Sequence, residues 1–144
     1  MEWNAMSITV NGIEIDHFTR GYLIAALWSS NDESGSPLDS SYGLEDIHPD
    51  SLKGALEDCK DFQDRNADDL QQYEQLRAEK DSIKESGDTW MDYAGHDFWL
   101  TRNGHGAGFW DRSIGEVGER LSNSSKAYGE AYVYVGDDGK VHHA

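Results

Sequence analysis

The chain reads as an α+β protein: a small antiparallel sheet with a central hairpin near residues 96–111, packed against helices, and an acidic helical segment near residues 50–84 beside it. Three observations predict this. From Gly95 to Arg112 the run GHDFWLTRNGHGAGFWDR sets Phe98, Leu100 and Arg102 in alternation with Asp97, Trp99 and Thr101. That is the period of a strand, and Asn103-Gly104 supplies a positive-φ turn to join two of them. After Pro49 the apolar residues recur at helical spacing. Near both ends of the chain, short alternating segments flank Asn11-Gly12 and the turn Gly136-Asp137-Asp138-Gly139.

In chain order, Met6 to Ile15 predicts a hairpin about Asn11-Gly12, with Ile8, Val10, Ile13 and Ile15 as its apolar residues. Asp16 is the expected N-cap of a helix from about His17 to Trp28, with Phe18, Tyr22, Ala25 or Ala26, and Leu27 inward and His17 at the surface of its first turn. Ser29 to Gly43 is a polar loop punctuated by Gly35 and Pro37. Its acids, Asp32, Glu33 and Asp39, lack the ligand spacing and closing glutamate of an EF-hand, so no metal is expected there.

Pro49-Asp50-Ser51 opens a long helical run to about Lys84, with a break expected around Asn66 and an end at Ser86-Gly87-Asp88. Leu52, Ala55, Leu56, Cys59, Phe62, Leu70 and Tyr73 share one side. Cys59 therefore reads as a small core residue. The return strand of the central hairpin is expected near Ala107 to Asp111, with Gly106 and Gly108 allowing a bulge or a close backbone approach. Asp111 or Ser113 then caps a helix from about Ile114 to Tyr128 with Ile114, Val117, Leu121 and Ala127 inward, and Gly115 and Gly118 permit tight packing. Glu130 to Val135 and Lys140 to His143 form a closing pair of strands.

The length of 144 residues suits one domain spanning 1–144, large enough for a hydrophobic core without staples. The single cysteine excludes an internal disulfide, and the absence of a long apolar segment or a basic-then-apolar leader predicts a cytoplasmic protein with no membrane attachment. A formal charge of −16 repels nucleic acid and attracts basic protein surfaces. Residues 32–95 hold eighteen acids and six bases, so three-quarters of the excess lies in that middle segment.

The candidate binding residues follow from that excess. Glu57, Asp61, Asp64 and Asp68 fall opposite the apolar side at offsets of four, three and four, which spaces successive carboxylates by about 5–6 Å along a helix. This approaches the scale of phosphate spacing along a nucleic-acid strand, whose rise is about 3.4 Å per nucleotide before its lateral path is added. Glu45, Asp46 and Asp58 add flanking charge. An ordinary solvated helix face also carries charge, but with the signs more evenly mixed.

A second candidate site, for a small enzyme, is His96, Asp97 and Asp111, with Arg102 or Arg112 as an anion holder. These are residue types suited to acid–base work, but no HExxH or paired CxxC spacing accompanies them. His105 would lie at the far end of the hairpin, roughly 25 Å away at about 3.3 Å per residue. No cofactor is implied, because Gly104, Gly106 and Gly108 do not lead at once into a helix as a dinucleotide loop would. Phe98, Trp99, Phe109 and Trp110 are expected to serve the core on one face and a protein-binding patch on the other, the basis for an adaptor or assembly protein as a further alternative.

The run GHDFWLTRNGHGAGFWDR, followed by GEVGERLSNSSKAYGE and YVYVGDDGKVH, resembles a group of small acidic proteins encoded by bacteriophages, prophages and plasmids, and FTRGYLIAALWSS and LEDIHPDSLKGALEDCKDF fit the same group. The resemblance brings no activity or catalytic residues with it. It implies a context in which small accessory proteins inhibit host defence or host nucleic-acid enzymes, some of them as acidic DNA mimics. The expectation is a phage-type inhibitor whose partner is a basic nucleic-acid-binding or defence protein of the host.

Overall fold

A computed structural model describes residues 8–84 and 87–144. Met6 and Ser7 of the expected first hairpin, and Ser86 of the expected helix end, lie outside the described residues. The fold is α+β, as the sequence predicts. Five α-helices and two separate two-stranded antiparallel hairpins are present among the described residues.

Strands β1 (Ile8–Val10) and β2 (Ile13–Ile15) pair with Val10 opposite Ile13. Positive φ at both Asn11 and Gly12 closes the two-residue turn that the dipeptide predicts. Helix α1 (His17–Ser29) starts where expected, with the Asp16 carboxylate accepting from the Thr19 N–H at 2.9 Å. The long helical run is split at Asn66 into α2 (Pro49–Arg65) and α3 (Ala67–Lys80), and α3 stops one turn short of the expected Lys84. Helix α5 (Glu116–Lys126) buries Val117 and Leu121 but leaves Ala127 exposed, contrary to expectation. Strands β3 (Val133–Val135) and β4 (Val141–His143) pair across the expected turn, with Val135 opposite Val141. The Ile47–Val141 bridge and the His48 N–H donated to the Val141 carbonyl tie this hairpin to the start of α2.

The central hairpin is not there. Residues Trp90–Arg102 form helix α4, and Phe109–Asp111 is a single 3-10 turn rather than a return strand. A run of six alternating residues fits either period, and tertiary packing decides between them. Thr89 and Asp92 form a capping box at the start, which the sequence signature Thr-x-x-Asp resembles with a shorter acid than usual. Asn103-Gly104 is the stop: Gly104 sits at φ +67°, its N–H reaches the Thr101 carbonyl, and the His105 N–H reaches that of Leu100. This is the Schellman pattern that ends a helix on a left-handed glycine.

Helix α4 is instead the centre of the molecule. Nearly every residue from Trp90 to Arg102 is buried, only Tyr93 and His96 being partly open. It crosses α1 at backbone contact. A Cβ on Gly21 would lie 1.8 Å from the Asp92 carbonyl oxygen, and one on Gly95 would lie 1.8 Å from that of Phe18. Around this crossing Phe62 stacks on Phe98 at 4.1 Å between ring centres, and Tyr22 meets Trp99 edge-on at 5.2 Å. The hydrophobic core therefore sits between helices, with the two hairpins at its margin, and not against one central sheet.

Candidate functional site

The acidic surface is built on α2 and the first turn of α3. Glu57, Asp61, Asp64 and Asp68 are all exposed. Asp61 accepts from the Tyr128 hydroxyl at 2.5 Å and from Arg65 Nε at 2.9 Å, and these two donors hold its carboxyl below the ordinary aspartate range. Asp64 pairs with Lys60 at 3.2 Å across one helical turn. Both cations lie in solvent, where such pairs add little stability. The break at Asn66 means that the four carboxylates do not lie on one continuous helix, although Asp64, Asp68 and Asp69 border a common surface groove at that break.

The three flanking acids have different surroundings. Asp58 is half-buried and pairs with Arg102 at 3.0 Å. Asp46 caps the turn at Gly43 by accepting its N–H at 2.8 Å. Glu45 is exposed. Asp69, which the sequence reading passed over, is held by two nitrogens of Arg120 from α5.

Four of the arginines turn inward. Arg77 and Arg102 are buried, and Arg20 and Arg112 are bound to the buried carboxylates of Asp92 and Asp97 on α4. Arg102 donates to the Tyr22 hydroxyl at 2.9 Å, to Asp58, and to the carbonyls of Tyr128 and Gly129. Asp92 accepts from His17 Nδ1 at 2.9 Å, from Arg20 Nε at 2.8 Å and from Thr89. His17 is thus buried rather than on the surface, because the close α1–α4 approach brings Asp92 over the first turn of α1. A buried carboxylate with this many donors persists where an unpaired one would not.

Of the second candidate group, His96 and Asp97 are neighbours on α4, while Asp111, exposed on the 3-10 turn and accepting from the Gly108 N–H, is linked to Asp97 through Arg112, which lies 2.6 Å from Asp97 and 3.8 Å from Asp111. Asp97 is 1% exposed and receives the Tyr73 hydroxyl at 2.8 Å and two Arg112 nitrogens, the shorter at 2.6 Å. Its lone pairs are committed to these donors, so the carboxylate works as an internal anion and has no position from which to take a proton from a substrate. Burial pushes the His96 imidazole below the usual histidine range, which keeps it neutral near pH 7. His105 is exposed beyond the helix end. Among the described residues no three His, Cys, Asp or Glu side chains converge as a metal site would require. Cys59 is wholly buried, and burial raises its thiol well above the ordinary range.

Comparison with protein-family models, with curated proteins and with solved structures finds no match to this chain. No helix among the described residues is long and apolar enough to cross a membrane.

Proposed function

We propose that the protein is a phage-type inhibitor that works in the host cytoplasm as an acidic DNA mimic, binding a basic nucleic-acid-binding or defence protein through the carboxylates of α2 and α3. The observation that carries this reading is the segregation of charge. The four inward-turned arginines, Arg20, Arg77, Arg102 and Arg112, and the two buried aspartates, Asp92 and Asp97, sum to +2. The formal −16 of the whole chain therefore becomes −18 for the remainder. Glu57, Asp64 and Asp68 belong to that exposed remainder, and the exposed Lys60 is the only cation paired with any of the three among the described residues. A field of this sign steers basic partners and excludes nucleic acid.

The test is capture of partners from bacterial lysate at low and high salt, with and without duplex DNA as competitor, using wild type and the triple variant Glu57→Lys, Asp64→Lys, Asp68→Lys. Asp61 is left intact because Tyr128 and Arg65 depend on it. The expected outcome is a nucleic-acid-binding partner displaced both by salt and by DNA, with affinity for the triple variant lower by about 100-fold or more, since each tenfold step corresponds to about 1.4 kcal/mol and opposed like charges cost several. Salt sensitivity follows because exposed charges act over about 8–10 Å in ordinary buffers. A partner indifferent to salt, DNA and the triple variant rejects charge mimicry and points to the exposed rings Trp28, Trp110, Tyr132 and Tyr134 instead.

A further inference from the structure

The β3–β4 hairpin has one face on the core and one in water. Val133 and Val141 are buried, and the residues that alternate with them, Tyr132, Tyr134 and His142, lie on the opposite face. The register sets Tyr134 directly opposite His142, and their rings stack at 5.4 Å between centres with 16° between planes. His48, the N-cap of α2, stacks in turn on His142 at 4.9 Å, and Tyr132 meets Tyr134 at 5.9 Å. Four rings from three parts of the chain thus form one row. The two imidazoles are held in place, His48 by accepting the Asp50 N–H at 3.1 Å and His142 by Asp138, whose two oxygens lie 3.0 Å from Nε2. Tyr132 and Tyr134 are 63% and 45% exposed, so the row presents ring surface to solvent.

The charge beside the row is mostly of one sign. Within residues 130–144, Glu130, Asp137 and Asp138 stand against a single base, Lys140, and the exposed Asp50 follows His48 at the start of α2. The Lys140 N–H, and then His142, hold the Asp138 carboxyl below the ordinary aspartate range. Its side chain is 42% exposed, and a carboxylate has lone pairs for more donors than these. Ring faces next to an exposed carboxylate suit a cation that is flat and weakly hydrated. A guanidinium is both, since it stacks on aromatic faces while its N–H edge pairs with a carboxylate, whereas an ammonium is a compact, strongly hydrated charge. Nucleobases also stack on rings, but a chain of −16 repels their phosphates, and it repels a second copy of itself.

We propose that the outer face of the β3–β4 hairpin docks an arginine-bearing basic segment of a partner protein, with guanidinium groups on the rings of Tyr132, Tyr134 and His142 and Asp138 as their counter-ion. This surface is separate from the carboxylates of α2 and α3. It selects arginine by ring contact, whereas those carboxylates act through their field.

Three peptides of one length test the proposal: Gly-Arg-Gly-Arg-Gly, its lysine counterpart, and its citrulline counterpart, which keeps the planar group without the charge. Each is titrated into the isotope-labelled full chain at about 0.15 M salt, where charges more than about 8 Å apart are screened, and followed at the ring resonances of Tyr132, Tyr134 and His142. The arginine peptide is expected to shift these rings saturably, and the other two to bind there about threefold or more weakly. Tyr134→Leu keeps apolar bulk at an exposed position and is expected to weaken the arginine peptide about two- to fivefold, the range for an exposed cation–ring contact. The triple variant Glu57→Lys, Asp64→Lys, Asp68→Lys is expected to leave that affinity within about twofold. Equal binding of the lysine peptide, unchanged affinity in Tyr134→Leu, loss of binding in the triple variant, or no saturable ring shift by any peptide would each overturn the proposal. Ring shifts that grow with protein concentration alone, marking a second copy, or saturable shifts by a single-stranded oligonucleotide would overturn it as well.

Discussion

His143 shows how one side chain near the end of the chain is recruited into the interior. Its Nε2 lies 2.9 Å from the Tyr22 hydroxyl, and because that hydroxyl oxygen already accepts from Arg102, a neutral imidazole with Nε2 free to accept the hydroxyl proton suits the network. Burial, and then the charge of Arg102, depress its pKa. Burial depresses His96 in the same direction. The unfolded chain, with histidines near pKa 6.5, takes up these protons first as the pH falls. The stabilising contribution is therefore complete above about pH 6.5 and is lost as the pH drops from there toward the folded-state values. Urea midpoints measured from pH 7.5 to 5.5 are expected to decline, and His143→Gln, which keeps an acceptor for Tyr22, is expected to flatten the decline. An unchanged slope in that variant would remove His143 from the account. None of this was legible in the sequence, where His143 is one of two adjacent histidines in a short strand; only the fold sets it against Tyr22.

At the level of elements, α4 shows what short patterns leave open. Phe98, Leu100 and Arg102 alternate with Asp97, Trp99 and Thr101, yet all six are buried, because the helix is surrounded on nearly every side. An element buried all round loses the one-sided periodicity that distinguishes helix from strand. Asn-Gly is likewise ambiguous, since a left-handed glycine closes a hairpin at Asn11-Gly12 and stops a helix at Asn103-Gly104. The glycine spacing that permits the α1–α4 crossing became meaningful only when Gly21 and Gly95 were seen to face carbonyls. Gly95→Ala is expected to cost about 3 kcal/mol or more, since its methyl group would overlap backbone that cannot yield. Gly54→Ala in α2, with open space around the added carbon, is expected to stabilise by about 0.5–1 kcal/mol. Chemical denaturation of the two variants checks the contrast.

Across the whole molecule, the inward placement of four arginines leaves like charges facing each other over the outside. Repulsion among them works against the compact state. Added sodium chloride shortens the screening length from about 30 Å at 0.01 M to about 3 Å at 1 M, so the urea midpoint is expected to rise with salt over that range. A midpoint independent of salt would mean that the surface acids are neutralised locally, and would weaken the case for a mimic that depends on their field.

The sequence by itself determined the α+β class, both terminal hairpins, α1 with its Asp16 cap, the division of the long helical run at Asn66, and the concentration of acid in the middle of the chain. Each of these depends on interactions within a few residues or on composition alone. Only the tertiary structure decided that the 96–111 segment is a helix and not a hairpin, that Asp97 is an internal counter-ion linked to Asp111 through Arg112, that Asp58 answers Arg102, and that His48 stacks on His142. The partners in these cases lie far apart in the chain: Arg102 of α4 meets Asp58 of α2, and His17 and Arg20 meet Asp92 where two glycines let α1 and α4 touch. Contacts of that range are set by packing, which no local pattern of residue types encodes.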